Sequence, residues 1–309
     1  MTTATAALGW RGVLTHGLTR SVPEELMPAF RRFFVIHIFL QSLKLPRVEQ
    51  TTEVYPWIGL VFIAVVVACM NRLYRIGLLT LLLYKLWRIV EDFPMTANHM
   101  YLETLILFVL LVFSDRRTDP EHGPKAEAMS ANLVQMSILL VYFYSGVQKI
   151  VHGMWLSGEH VALNLYSFVP FGMPVSVQTF YRWIGSLFDE PAVEFPLRGA
   201  SGLNAVEQAF PGWAIALFLI TGWLVILSEL LVPLCVAWPR TRRFGVWLML
   251  VVQLGIGAFA WETEFMFAAV GCILLFFHKR PVRNYSVLLV LHVIWSLSIL
   301  LMGSKVPTL

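Results

Sequence analysis

Charge is scarce in this sequence. Aspartate, glutamate, lysine and arginine make up 14% of its 309 residues, where a soluble domain carries about 25%. Hydrophobic residues make up 58%, too many for one globular core to hide behind so little polar surface. Cysteine is scarce too. The three present, Cys69, Cys235 and Cys272, fall inside apolar blocks, so they are packing residues and no disulfide framework is expected. A glycine-rich phosphate loop, a dinucleotide fingerprint, a zinc-ligand pattern and a nucleophile elbow are all missing. These absences exclude a secreted mini-protein, a disordered chain and the common soluble enzyme classes.

What is present is a series of long apolar blocks separated by short charged loops. Mean hydropathy is +0.70, and the pattern predicts an all-α integral membrane protein. A backbone in lipid must satisfy its own hydrogen bonds, so each block is expected to be helical. Nine transmembrane helices are predicted, at residues 30–44, 56–71, 76–91, 100–114, 131–149, 213–237, 244–261, 264–277 and 285–302. Several fall short of the ~20 residues of an ideal span. They are expected to tilt or to end in a protein-lined cavity.

The loops set an orientation. With a cytoplasmic N-terminus, the inner segments carry Arg31/Arg32, Arg72/Arg75, Arg116/Arg117/Lys125, Arg240/Arg242/Arg243 and Lys279/Arg280/Arg283. The outer segments carry Glu53, Glu91/Asp92, Glu262/Glu264 and most of 150–212. Concentrated basic groups thus lie on one side, as the positive-inside rule demands, and the C-terminus is expected outside. The formal charge of +4 and pI near 9.0 follow from these anchors, so no nucleic-acid partner is expected; the partners are membrane lipids and a lipid-soluble substrate. Residues 1–27 read as a cytoplasmic or interfacial segment without a cleaved leader, 28–302 as one membrane domain, and 303–309 as a tail. Residues 150–212, with Pro170, Pro174, Pro191 and Pro196 among aromatics, read as re-entrant or interfacial pieces that form a lid.

Ionisable groups at membrane depth are costly and mark function more often than in soluble proteins. Lys149 closes the run Tyr142-Phe143-Tyr144-Ser145-Gly146-Val147-Gln148-Lys149, beside a glycine that permits close packing. A desolvated lysine loses its proton readily and serves as a base; a lysine snorkelling to the interface is the plain alternative. Asn98, His99, Tyr101 and Glu103 follow Glu91 and Asp92 across the next loop. His99 and Glu103 are four apart and share a helix face, which suits a carboxylate-held histidine or two metal ligands; a structural polar cluster is the other reading. Trp155, Gly158, Glu159, His160 and Asn164 come just after Lys149. Glu229 is a lone, deep carboxylate whose expected role is to hold helices together. Glu262 and Glu264 end a helix on the outer side.

At these residues the chain resembles the membrane domain of vitamin K-dependent gamma-carboxylase and its bacterial relatives, the horizontally transferred transmembrane (HTTM) family. The likeness rests on Tyr74-Arg75-Ile76, then Asn98-His99-x-Tyr101-Leu102, then Val141-Tyr142-Phe143-x-x-Gly146-Val147-x-Lys149 followed by Trp155-x-x-Gly158. The Leu-Ser-Glu229 helix and Phe265 onward resemble the later helices. The resemblance implies that Lys149 falls on the lysine that deprotonates the hydroquinone, and His99 on a histidine near that reaction. It implies structural roles for Tyr74, Arg75, Gly146 and Gly158, a site on the outer side, and residence in a bacterial inner membrane. There are departures. Gln253 stands where the carboxylase has a histidine, and no lumenal domain follows within these residues, so carboxylation of a peptide is not expected.

Three functions follow as expectations. The first is a membrane enzyme that cyclises a prenyl diphosphate. There Glu91, Asp92, Glu103 and Glu159 would hold a Mg²⁺-diphosphate, aromatics would shield the cation, and Lys149 or His99 would take the last proton, with Asn98, Tyr101, Trp155 and His160 lining the substrate. The second is a quinol-dependent oxygenase or carboxylase-like enzyme using a reduced quinone and Lys149 as base. The third is a non-catalytic membrane protein in immunity or assembly, since fold alone does not fix function.

Overall fold

The computed structural model describes residues 23–44, 55–70, 73–92, 98–113, 123–153, 155–158, 161, 212–257, 263–277 and 279–301. Among them every regular element is a helix. These are α1 (Leu26–Ser42), α2 (Tyr55–Cys69), α3 (Tyr74–Asp92), α4 (Asn98–Phe113), α5 (Gly123–His152), α6 (Gly212–Ala237), α7 (Arg242–Gly255), α8 (Thr263–Leu274) and α9 (Pro281–Leu301). Each coincides with one predicted apolar block. The N-terminal segment before residue 23, the bulk of 150–212 and the tail beyond Leu301 lie outside the described residues.

Two helices, α5 over Lys125–Val151 and α6, are long and apolar enough to cross a membrane by length and composition. The expectation of nine such spans is therefore met on these terms by two. The reason is partly length: α1, α2, α4, α7 and α8 have 12 to 17 residues. At 1.5 Å per residue they cover roughly 18–26 Å, less than a ~30 Å hydrocarbon layer. It is also charge, because α3 holds Arg75, Lys85, Arg88, Glu91 and Asp92.

The packing follows chain order and then closes. From α2 through α9 each helix packs on the next, except that α8 lies inside, and α9 returns to α1, which itself meets α2. The short α8 touches α1, α4, α5, α7 and α9, and its residues Phe267–Ile273 are all buried. Gly271 lets Phe33 of α1 lie against the α8 backbone, and the Tyr285 hydroxyl donates to the Gly271 carbonyl at 2.9 Å. Gly77 similarly brings α3 against the backbone of α2 at Ala64 and Ala68.

The core is apolar, yet the outside is apolar too and several charges are buried. Ile63, Leu83, Leu224, Trp247, Val251 and Ile294 face outward, while His37, Lys85, Glu103, Glu229 and His292 are buried. Several hydroxyls are satisfied within their own helix: Thr80, Thr104, Ser137 and Thr221 each donate to the carbonyl one turn back. Buried charged side chains find their partners across helices: Arg31 of α1 lies 3.8 Å from Glu127 of α5, and the others gather in two clusters.

Candidate functional site

The first cluster joins α5 to α6. Gly146 on α5 faces Leu230 and Glu229, where a Cβ would already stand 3.0 Å from the Leu230 side chain. The close approach brings Lys149 Nζ to 2.8 Å from Glu229 Oε1 and 2.6 Å from Ser145 Oγ. Lys149 is one turn beyond Ser145 and three residues from the end of α5, where a cation also meets the helix dipole favourably. Its ammonium lies 4.8 Å from the centroid of the Trp155 ring, within cation–π range. Side-chain exposure is 15% for Lys149 and 4% for Glu229, so the pair is screened little by solvent.

The turn that carries Trp155 depends on two glycines. Gly158 has φ +75 and a Cβ there would meet the Leu219 backbone nitrogen at 2.8 Å. Both facts demand glycine. Gly222 of α6 admits the Trp155 carbonyl against the helix. Pro233, four residues beyond Glu229 in α6, removes the N–H that would otherwise bond to the Glu229 carbonyl. Further down α5, the buried Tyr142 hydroxyl lies 2.8 Å from Gln253 Oε1 and 3.1 Å from the Met249 carbonyl, tying α5 to α7.

The second cluster gathers five helices. Glu103 of α4 is fully buried and is the hub. Its Oε1 lies 3.0 Å from His37 Nε2 and accepts from Gln41 at 3.3 Å, both on α1. Its Oε2 lies 2.5 Å from Lys85 Nζ of α3, and Lys85 also donates to Gln41 Oε1. His37 Nδ1 continues to His292 Nε2 of α9 at 3.0 Å. At the cluster's rim Lys44 forms an ion pair with Glu264, in the first turn of α8. Phe33, Phe34 and Phe267 wall the two histidines. Two carboxylates thus balance two ammoniums, as burial of charge requires.

Of the residues expected from sequence, Lys149, Ser145, Gly146, Glu229, Trp155 and Gly158 come together at the first cluster. His99 lies away from that cluster, 6.5 Å from the Phe265 ring; its charge acts on Glu103, which is held by His37, Gln41 and Lys85. Tyr101 is exposed. Glu91 is half-exposed and bonded to Arg88 at 3.0 Å, so it and Glu103 are engaged separately. Tyr74 and Arg75 sit at the start of α3, with the Arg75 Nε donating to the Tyr74 hydroxyl and Arg31 stacked over the Tyr74 ring. Glu159, His160 and Asn164 lie outside the described residues, as do the side chains of Asp92 and Asn98.

Sequence reasoning missed His37, Gln41, Lys44, Lys85 and His292. The signal was available. His37, Lys85 and His292 each interrupt an apolar run in mid-helix, the same feature that singled out Glu229. Among the described residues the fold is all-helical, with two ionic clusters set in an apolar core and large apolar side chains on the outside. No family model, curated protein or solved structure matches the chain.

Proposed function

We propose that this is a membrane-embedded enzyme acting on a lipid-soluble isoprenoid, that the Lys149–Glu229 pair moves the proton, and that the substrate is the quinol of an isoprenoid quinone. All nine helices cross or enter the bilayer, N-terminus cytoplasmic and C-terminus outside. The outward apolar side chains and inward charges support this, because exposed apolar surface on every side suits hydrocarbon and not water. The short α8 is compatible, since it is enclosed by other helices and not by lipid.

One observation carries the chemical reading: Glu229 Oε1 lies 2.8 Å from Lys149 Nζ in a largely water-excluded site. A quinol hydroxyl docked beside the pair can give its proton to the Glu229 carboxylate. The O–H bond breaks, the proton ends on Glu229, and the quinolate oxygen is left facing the Lys149 ammonium. Net charge is unchanged, so the step avoids creating an isolated ion in a low-dielectric medium. Ser145 fixes the ammonium, and Trp155 covers its other side. The resemblance implies quinol deprotonation by Lys149 itself; here the proton goes to its partner Glu229, and Lys149 holds the quinolate.

Cyclisation of a prenyl diphosphate is the second reading. In its favour, the Trp155 face already holds a cation, as a cyclase aromatic must. It ranks second because two carboxylates expected to hold Mg²⁺-diphosphate are engaged otherwise, Glu103 with Lys85 and His37, Glu91 with Arg88. Purified protein supplied with reduced menaquinone and dioxygen separates the two. Oxygen uptake that requires Lys149 supports quinol chemistry. Flat oxygen traces with a new terpenoid in lipid extracts of cells fed C10–C20 prenyl diphosphates support cyclisation.

A further inference from the structure

Three side chains of the second cluster meet at one point. His37 Nδ1, His292 Nε2 and a carboxylate oxygen of Glu264 lie within 4.8 Å of one another. They come from α1, α9 and α8, so only the folded bundle assembles them. Both histidines are fully buried.

The surroundings are those of metal ligands. His37 Nε2 lies 3.0 Å from Glu103 Oε1, which holds the ring proton on Nε2 and leaves a lone pair on Nδ1. A carboxylate behind a histidine in this way is the usual outer partner of a metal-bound imidazole. Glu264 gives Oε1 to Lys44. Its Oε2 is buried with no hydrogen-bond partner among the described residues and stands 4.0 Å from His292 Nε2. A carboxylate oxygen buried without a hydrogen bond is costly, and a cation would satisfy it. His37 Nδ1 and His292 Nε2 are 3.0 Å apart. Metal–nitrogen bonds of about 2.0–2.1 Å span that gap at an angle of roughly 91–97°, leaving coordination positions open.

We propose that His37, His292 and Glu264 bind a divalent first-row transition ion, with Glu103 positioning His37. Two imidazoles and one carboxylate are a donor set of catalytic zinc and of non-haem ferrous iron. Lys44 and Lys85 are balanced by Glu264 and Glu103, so the ion brings net positive charge. A bound hydroxide, formed because the metal lowers the pKa of its water, offsets part of it.

The test uses the full chain, purified in detergent, stripped with a chelator and titrated with Co²⁺ as probe. Saturable binding with visible d–d absorption, displaced by Zn²⁺, is expected. His292→Ala and Glu264→Gln lose it, Glu103→Gln weakens it by about 10–100-fold, and Lys149→Ala leaves it unchanged. Glu264→Gln, at the cluster's rim, keeps the test readable if His292→Ala does not fold. No saturable Co²⁺ binding by the wild type, or binding undiminished in Glu264→Gln, overturns the proposal. The readout is metal binding and not turnover, so its failure leaves the Lys149–Glu229 reading standing.

Discussion

Lys149 and Glu229 are separated by 80 residues of sequence and by 2.8 Å in the folded chain. Three glycines shape the site. Gly146 admits α6 to the face of α5, while Gly158 and Gly222 let the Trp155 turn close over the ammonium. The pair is therefore a product of helix packing and not of a local motif.

If this pair moves the proton, its members act as a unit. Lys149→Ala and Glu229→Gln are each expected to lower turnover by about 10²–10⁴-fold, and the double variant to lose little more than either single one. Rates of the three purified variants, with helicity checked by circular dichroism, give the answer. Additive losses would place the two residues in separate roles.

Glu103 is the structural counterpart. Truncating it to alanine leaves Lys85 and His37 buried without their carboxylate, and a loss of about 3–5 kcal/mol is expected. Replacing both ion-pair members, Lys85→Met with Glu103→Leu, should recover most of that loss. Thermal unfolding in detergent reads both. Equal melting temperatures for wild type and Glu103→Ala would contradict the hub role.

Glycine substitutions should divide by surroundings. Gly222→Ala must displace the Trp155 carbonyl and is expected to lower both melting temperature and turnover. Gly59→Ala in α2 meets nothing within 4 Å and should gain about 0.5–1 kcal/mol from helix propensity. Opposite signs in the two melting shifts are the expected outcome.

Membrane immersion has its own signature. Leu224 lies mid-way along α6 and is 61% exposed. In water, Leu224→Asp would change stability by no more than about 0.5 kcal/mol. In hydrocarbon it should cost about 3–4 kcal/mol of insertion energy. The carbonate-resistant membrane fraction of Leu224→Asp, compared with wild type, distinguishes the two.

The sequence carried the helices well, since a run such as Leu105–Val112 has one reading in a chain so poor in charge. It also marked Lys149, Gly146, Trp155 and Glu229, each conspicuous against an apolar background. It did not reveal that Glu103 would choose His37 over a neighbour on its own helix. The His99–Glu103 spacing is a local rule, and the winning partner came from α1, 66 residues away. Hydropathy blocks likewise located α8 without revealing that it would lie at the centre of the bundle, where shortness is tolerated because protein surrounds it. Long-range partner choice depends on which helices become neighbours, and no periodicity encodes that.

Proton transfer from a lipid-soluble quinol at the Lys149–Glu229 pair frees the quinolate to react with dioxygen. The most direct measurement is dioxygen uptake by purified protein given reduced menaquinone, for wild type and Lys149→Ala side by side. Uptake matched to quinol loss is expected in the wild type, one dioxygen reduced to hydrogen peroxide as each quinolate is oxidised to quinone, with near-abolition in the variant. Equal rates in the two proteins, or none in either, would contradict it.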